Sequence, residues 1–150
     1  MTADINTTIL TGVRELLLTF PDVAAAVGTR IRPHRGYEAD GKQTQIILQI
    51  PDATQFNVLD PTGAEVNATL VVRVRGLDCS AVDALAEAVR SQNAAPSEGL
   101  DGFIGLAGDS YITGCERTGF SNGPVYDDDG DETDLFESTQ VYDLWYYLNG

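Results

Sequence analysis

The stretch Ala68-Thr-Leu-Val-Val-Arg-Val-Arg75, followed by Gly76-Leu-Asp-Cys-Ser80 and Ala81-Val-Asp-Ala-Leu-Ala-Glu-Ala-Val-Arg90, decides the fold. Over 68–75, apolar residues alternate with a second set that includes two arginines, a pattern typical of a strand with one buried face. After Gly76, apolar residues recur at helical spacing, at Val82, Leu85, Ala86 and Val89. We therefore expect a strand and a helix, Ser80–Arg90, whose apolar stripe covers that buried face.

The start of this helix carries two candidate caps. Asp78 or Ser80 can accept a hydrogen bond from the first helical N–H groups. Ser80, with Asp83 three residues later, also resembles a capping box. None of these side chains points to catalysis or metal binding, so we interpret the unit as scaffold.

The residues before this unit predict two helices and further strands. Apolar residues at helical spacing predict a first helix from Asp4 to Thr19, ended by Pro21. The next segments predict a short helical turn over 21–28 and an extended piece over 29–36. A strand over 43–50, which Pro51 is expected to end, a short strand over 56–59 and a turn over 60–63 then lead into the strand at 64–75.

The residues after the unit predict more strands. A loop over 94–102 precedes a weak strand over 103–106 and two longer strands, 111–120 and 136–148, joined by an acidic connection. The predicted order is α-β-β-β-α-β-β. This order favours one α+β domain, residues 1–150, with a mostly antiparallel sheet and helices packed on one face.

Composition excludes several classes of function. The chain has 150 residues, 43% of them hydrophobic, which suits one globular domain. Its net charge of −14 argues against binding to a nucleic-acid backbone or to an anionic membrane. Two isolated cysteines, no signal-peptide pattern and no long apolar run predict a protein made in a reducing compartment.

The last predicted strand has two apolar or aromatic faces. Val141, Asp143, Trp145 and Tyr147 point one way, and the alternate residues 142, 144, 146 and 148 point the other way. One interpretation is a central strand buried on both sides. The other is that one face packs on the core while the second meets a neighbouring subunit, because aromatic residues are enriched at interfaces.

Two glycine patterns resemble functional motifs without their context. Residues 119–123 match G-x-S-x-G around Ser121, but Pro124 and an acidic loop follow where a helix is required, and the single histidine, His34, precedes the serine. Residues 102–108 read G-x-x-G-x-x-G, with no helix after them to hold a phosphate. We expect no catalytic residue and no cofactor.

The acidic segment 127–134 has three interpretations. Asp127, Asp129 and Asp131 have the first ligand spacings of a calcium loop, but Glu132 replaces its glycine and Ser138 its last glutamate. A solvated hairpin tip that turns at Asp129-Gly130 is the second interpretation, and an acidic surface that meets a basic partner is the third. We expect no metal site.

The third interpretation has a candidate partner in the same sequence. Arg30, Arg32 and Arg35 form the densest positive group. They are either ordinary surface charge or a docking surface for the acidic segment of another copy. The hypothetical subunit interface comprises Arg30, Arg32, Arg35, Asp127, Asp128, Asp129, Asp131, Glu132, Asp134, Trp145 and Tyr147.

Taken together, the pattern resembles the tail-completion family of long-tailed bacteriophages, which includes tail-terminator and tail-to-head joining proteins. An amphipathic first helix leads into Phe20-Pro-Asp-Val-Ala-Ala-Ala-Val-Gly-Thr-Arg-Ile31, and Val27 to Ile31 is the most specific part. The strand and helix at 69–90 and a closing hairpin that ends in an aromatic strand complete the resemblance.

The resemblance implies a structural protein of the virion, assembled in the host cytoplasm. Such a subunit forms a ring, commonly a hexamer, that completes the tail and joins it to the DNA-filled head. Its partners would be further copies of itself, the tail tube protein and head–tail connector proteins, and DNA would pass through without specific binding. The alternatives are a head-side connector ring, a small hydrolase that uses Ser121 and a calcium-dependent binding module.

Overall fold

A computed structural model describes residues 5–33, 44–56, 65–91, 99–126 and 129–148. These ranges contain helices α1 (Ile5–Leu18), α2 (Pro21–Val27) and α3 (Cys79–Arg90), and strands β1 (Ile31–Pro33), β2 (Gln45–Phe56), β3 (Glu65–Gly76), β4 (Gly105–Ala107), β5 (Ser110–Tyr126) and β6 (Glu132–Leu148). The predicted α+β class with a mostly antiparallel sheet is confirmed. None of the described helices has the length and apolar character that crossing a membrane requires.

The six described strands form one sheet in the order β1-β2-β3-β6-β5-β4. All neighbours are antiparallel except β1 and β2, which run parallel. Strand β3, which contains the alternating stretch 68–75, therefore lies between β2 and β6 in the middle of the sheet. Each edge strand, β1 and β4, has three residues. Pro33 lies in edge strand β1, where a residue without an N–H group is tolerated because one side of the strand has no neighbour to bond.

The helices cover one face of this sheet, as predicted. The inward residues of β3 are at most 2% exposed and pack in one core with the stripe of α3; they are Val66, Ala68, Leu70, Val72 and Val74. Asp78 caps α3, since its Oδ1 accepts a hydrogen bond from the Ser80 N–H at 3.0 Å. Ser80 lies inside the helix, so the alternative cap at Ser80 is wrong.

Pro51 does not end the second strand, contrary to the prediction. Strand β2 continues to Phe56, and its pairing with β3 shifts register between Gln49 and Asp52. Because a proline lacks the N–H that a regular ladder needs, it is tolerated at such an irregularity. Residues 45–50 of the first predicted strand and Phe56 of the second thus belong to a single strand, while residues 43 and 57–64 lie outside the described ranges.

Strands β5 and β6 are both longer than predicted. The pairing of β3 with β6 ends at Gly76 and Phe136, whereas β5 and β6 remain paired as far as Tyr126 and Glu132. Residues 125–126 and 129–135 lie beyond the last β3–β6 pair, and we call these described residues the β5–β6 arm. Three register shifts interrupt the β5–β6 pairing: the first two place an extra residue in β5, and the third places extra residues in β6.

Helix α1 crosses the edge strand β4 at very short distance. An ideal Cβ on Gly12 would lie 2.2 Å from the carbonyl oxygen of Ala107. The turn that follows β4 contains Gly108, which has a φ of 59° and also lies against Gly12. The weak strand expected at 103–106 is thus held at 105–107 by a contact that only small residues allow.

Candidate interaction surface

The sheet has a second face, opposite to the one that the helices cover. On the two central strands it consists of the odd-numbered residues from 65 to 75 of β3 and from 137 to 147 of β6. None of the described helices packs on it. On β6, Tyr142 and Leu144 are fully buried in the core, whereas Val141, Asp143 and Trp145 on the second face are half-buried. One side of the last strand thus packs on the core and the other side is partly accessible, so the strand is not fully buried on both sides. Contact of the second side with a neighbouring subunit stays a prediction.

At one end of the second face, two arginine side chains bind the same glutamate. Arg75 donates to Glu137 Oε2 from both Nε, at 2.9 Å, and Nη2, at 2.6 Å. Arg73 Nη1 donates to the other oxygen, Oε1, at 3.1 Å. The side chains of Arg75 and Glu137 are 14% and 15% exposed, whereas that of Arg73 is 36% exposed. The cluster is therefore held in place while Arg73 stays accessible.

Two neighbouring strands extend this cluster toward the sheet edge. Arg73 Nε donates to Gln49 Oε1 on β2 at 2.9 Å. In the β-ladder, Arg32 pairs with Ile47, which pairs in turn with Arg73, so all three share a face. We call Arg32, Arg73, Arg75 and Glu137 the arginine end. It brings three guanidinium groups and one carboxylate to one region of a strongly acidic chain.

The opposite end of the second face is aromatic and apolar. Leu106, Tyr111 and Tyr147 pair across β4, β5 and β6, and the first two are 64% and 42% exposed. Ile104, two residues before Leu106 in the sequence, is also 64% exposed. We call Ile104, Leu106, Tyr111, Trp145 and Tyr147 the aromatic end. Exposed apolar side chains grouped in this way are typical of contact surfaces.

Hydrogen bonds to neighbouring side chains orient Trp145 and Tyr147 in the aromatic end. Asp143 accepts from Asn67 Nδ2 at 2.7 Å and from Trp145 Nε1 at 3.3 Å. Tyr147 OH donates to Glu65 Oε2 at 3.4 Å. Trp145 and Tyr147, which the sequence analysis assigned to an interface, therefore stand in defined orientations on the second face.

The acidic segment lies at the tip of the β5–β6 arm. Asp129, Asp131, Glu132 and Asp134 are exposed, and Gly130 has the positive φ of 82° that a tight turn requires. This agrees with the hairpin-tip interpretation. Asp127 and Asp128 lie outside the described residues. The structure thus concentrates acidic groups at the end of a projection.

The predicted arginine group is divided by the structure. Arg30 donates from Nε to the Thr44 carbonyl at 2.9 Å and from Nη2 to the Ala26 carbonyl at 3.3 Å, so it ties α2 to β2 in its own chain. Arg32 belongs to the arginine end, and Arg35 and His34 lie outside the described residues. Sequence reasoning missed Arg73, Arg75 and Glu137, although two arginines at outward positions of a central strand were the available signal.

Ser121 lies in the middle of a strand and not at a strand-to-helix turn. Strand β5 continues from it to Tyr126, and Ser121 pairs with Thr139 of β6. The G-x-S-x-G match therefore lacks the sharp turn that exposes a nucleophile. Its two glycines are ordinary strand positions beside β6.

The core side of β6 contains a buried hydrogen-bonded chain. Gln140 Nε2 donates to the Ala86 carbonyl of α3 at 2.7 Å, and Tyr142 OH donates to Gln140 Oε1. Burial raises the pKa of Tyr142 above its ordinary value. Burial also raises the pKa of the Cys115 thiol to about 12, and the carboxylates of Asp101 and Asp143 act in the same direction. The hydrogen bonds of Gln140 and Tyr142 hold α3 on the sheet.

Comparisons with known proteins reveal similarity in structure. No protein-family model matches the chain, and no curated protein matches it in sequence. Its fold is similar to that of a chain in the virion of a native gene transfer agent particle, with a TM-score of 0.62 and 17% sequence identity. The alignment covers 94% of this chain and 96% of the other chain. At this identity the similarity establishes a shared fold.

Proposed function

We propose that this chain is a structural protein of a phage-like virion and forms a ring at the junction of the tail with the DNA-filled head. The observation that carries the proposal is the fold similarity, over nearly the full length of both chains, to a chain of a gene transfer agent virion. The resemblance of residues 20–31 and 69–90 to the tail-completion family supports the same role. The ring, commonly a hexamer in that family, would complete the tail and join it to the head.

The surfaces of the chain suit such an assembly. A ring subunit needs two different patches, because a head-to-tail interface joins one surface to another. In the aromatic end, Leu106 and Tyr111 are apolar side chains that an interface can bury. The acidic tip of the β5–β6 arm and the arginine end contain side chains of opposite charge. In this proposal Trp145 and Tyr147 belong to the subunit interface, together with the arginines and the acidic segment named from the sequence.

Charge favours passage of DNA over its retention. Binding to a phosphate backbone depends on clustered cations that release counterions. At a net charge of −14, the chain has 23 acidic and 9 basic residues, so a ring of it repels DNA overall. The partners of the ring would be the tail tube protein on one side and head–tail connector proteins on the other. The proposed role needs neither a cofactor nor a catalytic residue.

Deleting the gene from the virus that carries it tests the proposal. A protein that ends tail assembly leaves overlong or headless tails when it is absent, and plasmid-borne wild-type protein restores normal particles. A head-side connector, the alternative ring, leaves tails of normal length beside heads that lose their DNA. Normal infectious particles from the deletion strain would contradict both roles.

A further inference from the structure

We propose that a pocket between α3 and the strands β5 and β6 binds an amide group of a partner polypeptide. We call it the α3 pocket, and its volume is about 200 Å³. It is lined by Asp83, Ala86 and Glu87 of α3, Arg117, Phe120 and Asn122 of β5, and Ser138 and Gln140 of β6. The pocket lies on the helix side of the sheet, so the inference goes beyond the second face and the interface proposed for the ring.

The floor of the α3 pocket contains a buried hydroxyl group without a hydrogen-bond partner. Ser138 is 4% exposed, and within the described part of the chain its hydroxyl makes no hydrogen bond. Gln140, two residues later on the same side of β6, is instead bound at both ends of its amide, by the Ala86 carbonyl and by Tyr142 OH. A buried hydroxyl without a partner costs free energy. A ligand that bonds Ser138 removes this cost, so the floor favours a polar ligand over an apolar one.

The β5 wall of the pocket contains two further side chains that can bond a ligand. Asn122 pairs with Ser138 across the β5–β6 ladder, so its amide and the buried hydroxyl are neighbours on one side of the sheet. The Arg117 guanidinium group stacks on the Phe120 ring, 4.7 Å from the ring centroid. Neither the Asn122 nor the Arg117 side chain forms a hydrogen bond with the other described residues. Stacking orients the guanidinium plane and leaves its N–H groups available to an oxygen atom of a ligand.

The α3 wall supplies a hydrogen-bond acceptor. Asp83 is exposed, and its carboxylate has no hydrogen bond or ion pair to any residue that the structure describes. Glu87 is already bound by Arg90, whose Nε donates to Oε2 at 3.1 Å. Apart from that pair, the lining contains one cation, Arg117, and one anion, Asp83. The helix therefore presents an acceptor and β5 presents a donor, without a surplus of either charge.

A dipolar ligand suits this arrangement better than a charged one. A carboxylate would bind Arg117 but lie close to Asp83, and an ammonium group would have the opposite conflict. An amide has a carbonyl oxygen that can accept from Arg117 and an N–H group that can donate to Asp83. Asn122 and Ser138 both donate and accept, so they can bond either end of an amide.

A polypeptide is the source of amides that this pocket fits. The ring of Phe120 is 62% exposed and provides an apolar surface for the carbon atoms that carry the amide. The amide belongs either to an asparagine or glutamine side chain or to the main chain. That the polypeptide is a neighbouring virion protein rests on the proposed function, whereas the amide site itself does not.

Titration of the isotope-labelled chain with small amides tests the site. The probes are propionamide for a side-chain amide and N-methylacetamide for a main-chain amide, and propionate and propylammonium are the matched charged controls. We expect a saturable change in the NMR signals of the Asn122 side chain with an amide, and about fivefold weaker binding of both charged controls, as the loss of one hydrogen bond predicts. The amide that binds more tightly identifies the source. No saturable change with either amide, or equal binding of a charged control, would overturn the inference.

Single variants separate a dipolar ligand from a charged one. Arg117→Met, Asp83→Ala and Ser138→Ala should each weaken amide binding by about three- to tenfold, because each removes one hydrogen bond. The matched control Ser121→Ala, an exposed position on the opposite side of β5, should bind like the wild type. Tighter binding by Arg117→Met or Asp83→Ala, or unchanged binding by all three pocket variants with normal thermal unfolding curves, would contradict the site. These measurements use the chain alone, so their failure is distinct from a failure of the proposed ring, which the gene deletion tests.

Discussion

Arg75 and Glu137 form an enclosed ion pair on the second face, with 2.6 Å between Nη2 and Oε2 across the β3–β6 pair. Both side chains are less than one-fifth exposed, and the same carboxylate holds Arg73. The pair thus joins the two central strands at the end of the second face that the proposed contact surface includes.

The variant Glu137→Gln should destabilise the fold measurably. It leaves two guanidinium groups without their carboxylate, and the lost charged hydrogen bonds predict a decrease of about 2 kcal/mol in the free energy of unfolding. Urea unfolding measures this decrease. The control Glu116→Gln, at an exposed position of β5, should change the free energy of unfolding by less than about 0.5 kcal/mol. Equal effects of the two variants would show that the Glu137 pair adds no stability.

Gln140 and Tyr142 should act as one unit in the attachment of α3. Gln140→Leu removes the donor to Ala86 and the acceptor for Tyr142 OH, so we expect a decrease of about 1–3 kcal/mol in the free energy of unfolding. Tyr142→Phe breaks the same chain at its other end. The double variant should therefore lose less than the sum of the single variants. Strict additivity in urea unfolding would argue against this coupling.

Gly12→Ala should destabilise the α1–β4 contact. The new Cβ would lie 2.2 Å from the Ala107 carbonyl oxygen, so helix and strand must separate. Overpacking of this kind predicts a loss of about 1–3 kcal/mol, although alanine favours helix more than glycine does. The neighbouring exposed change Thr11→Ala is the matched control and should have almost no effect on the thermal unfolding temperature. A more stable Gly12→Ala protein would contradict the described contact.

The two cysteines should differ strongly in reactivity. Cys79 is exposed, whereas Cys115 is buried and its raised pKa keeps the thiol protonated at mildly alkaline pH. Because the thiolate is the reactive form, a thiol reagent should modify Cys79 in the folded protein and both cysteines after denaturation. Mass spectrometry of the labelled peptides identifies the site. Rapid native labelling of Cys115 would show that β5 opens readily.

Local sequence patterns predicted most of the scaffold. The alternation at 68–75 and the stripe at Val82–Val89 place β3 and α3 correctly, because burial of one face imposes a period on each element. The extent of the arm was not predicted. Gly119, Gly123 and Pro124 lower strand propensity locally, and pairing with the strong strand β6 overrides that preference.

Less of the contact surface than of the fold could be predicted from the sequence. Trp145 stands out as an aromatic residue on an outward position, so its place on the second face could be predicted. The arginine end depends on which strands become neighbours, and Glu137 is 62 residues from Arg75 along the chain. Periodicity within one element carries no information about such a cluster.

The molar mass of the purified protein in solution, measured by light scattering over rising concentrations, tests the central claim most directly. The chain mass is 16.1 kDa, and the account predicts a shift toward one closed oligomer, near the mass of a hexamer, that high salt weakens but does not abolish. The salt effect follows from the opposite charges that the proposed interface contains, and the remainder follows from the aromatic end. A strict monomer at every concentration and at both low and high salt would contradict the account.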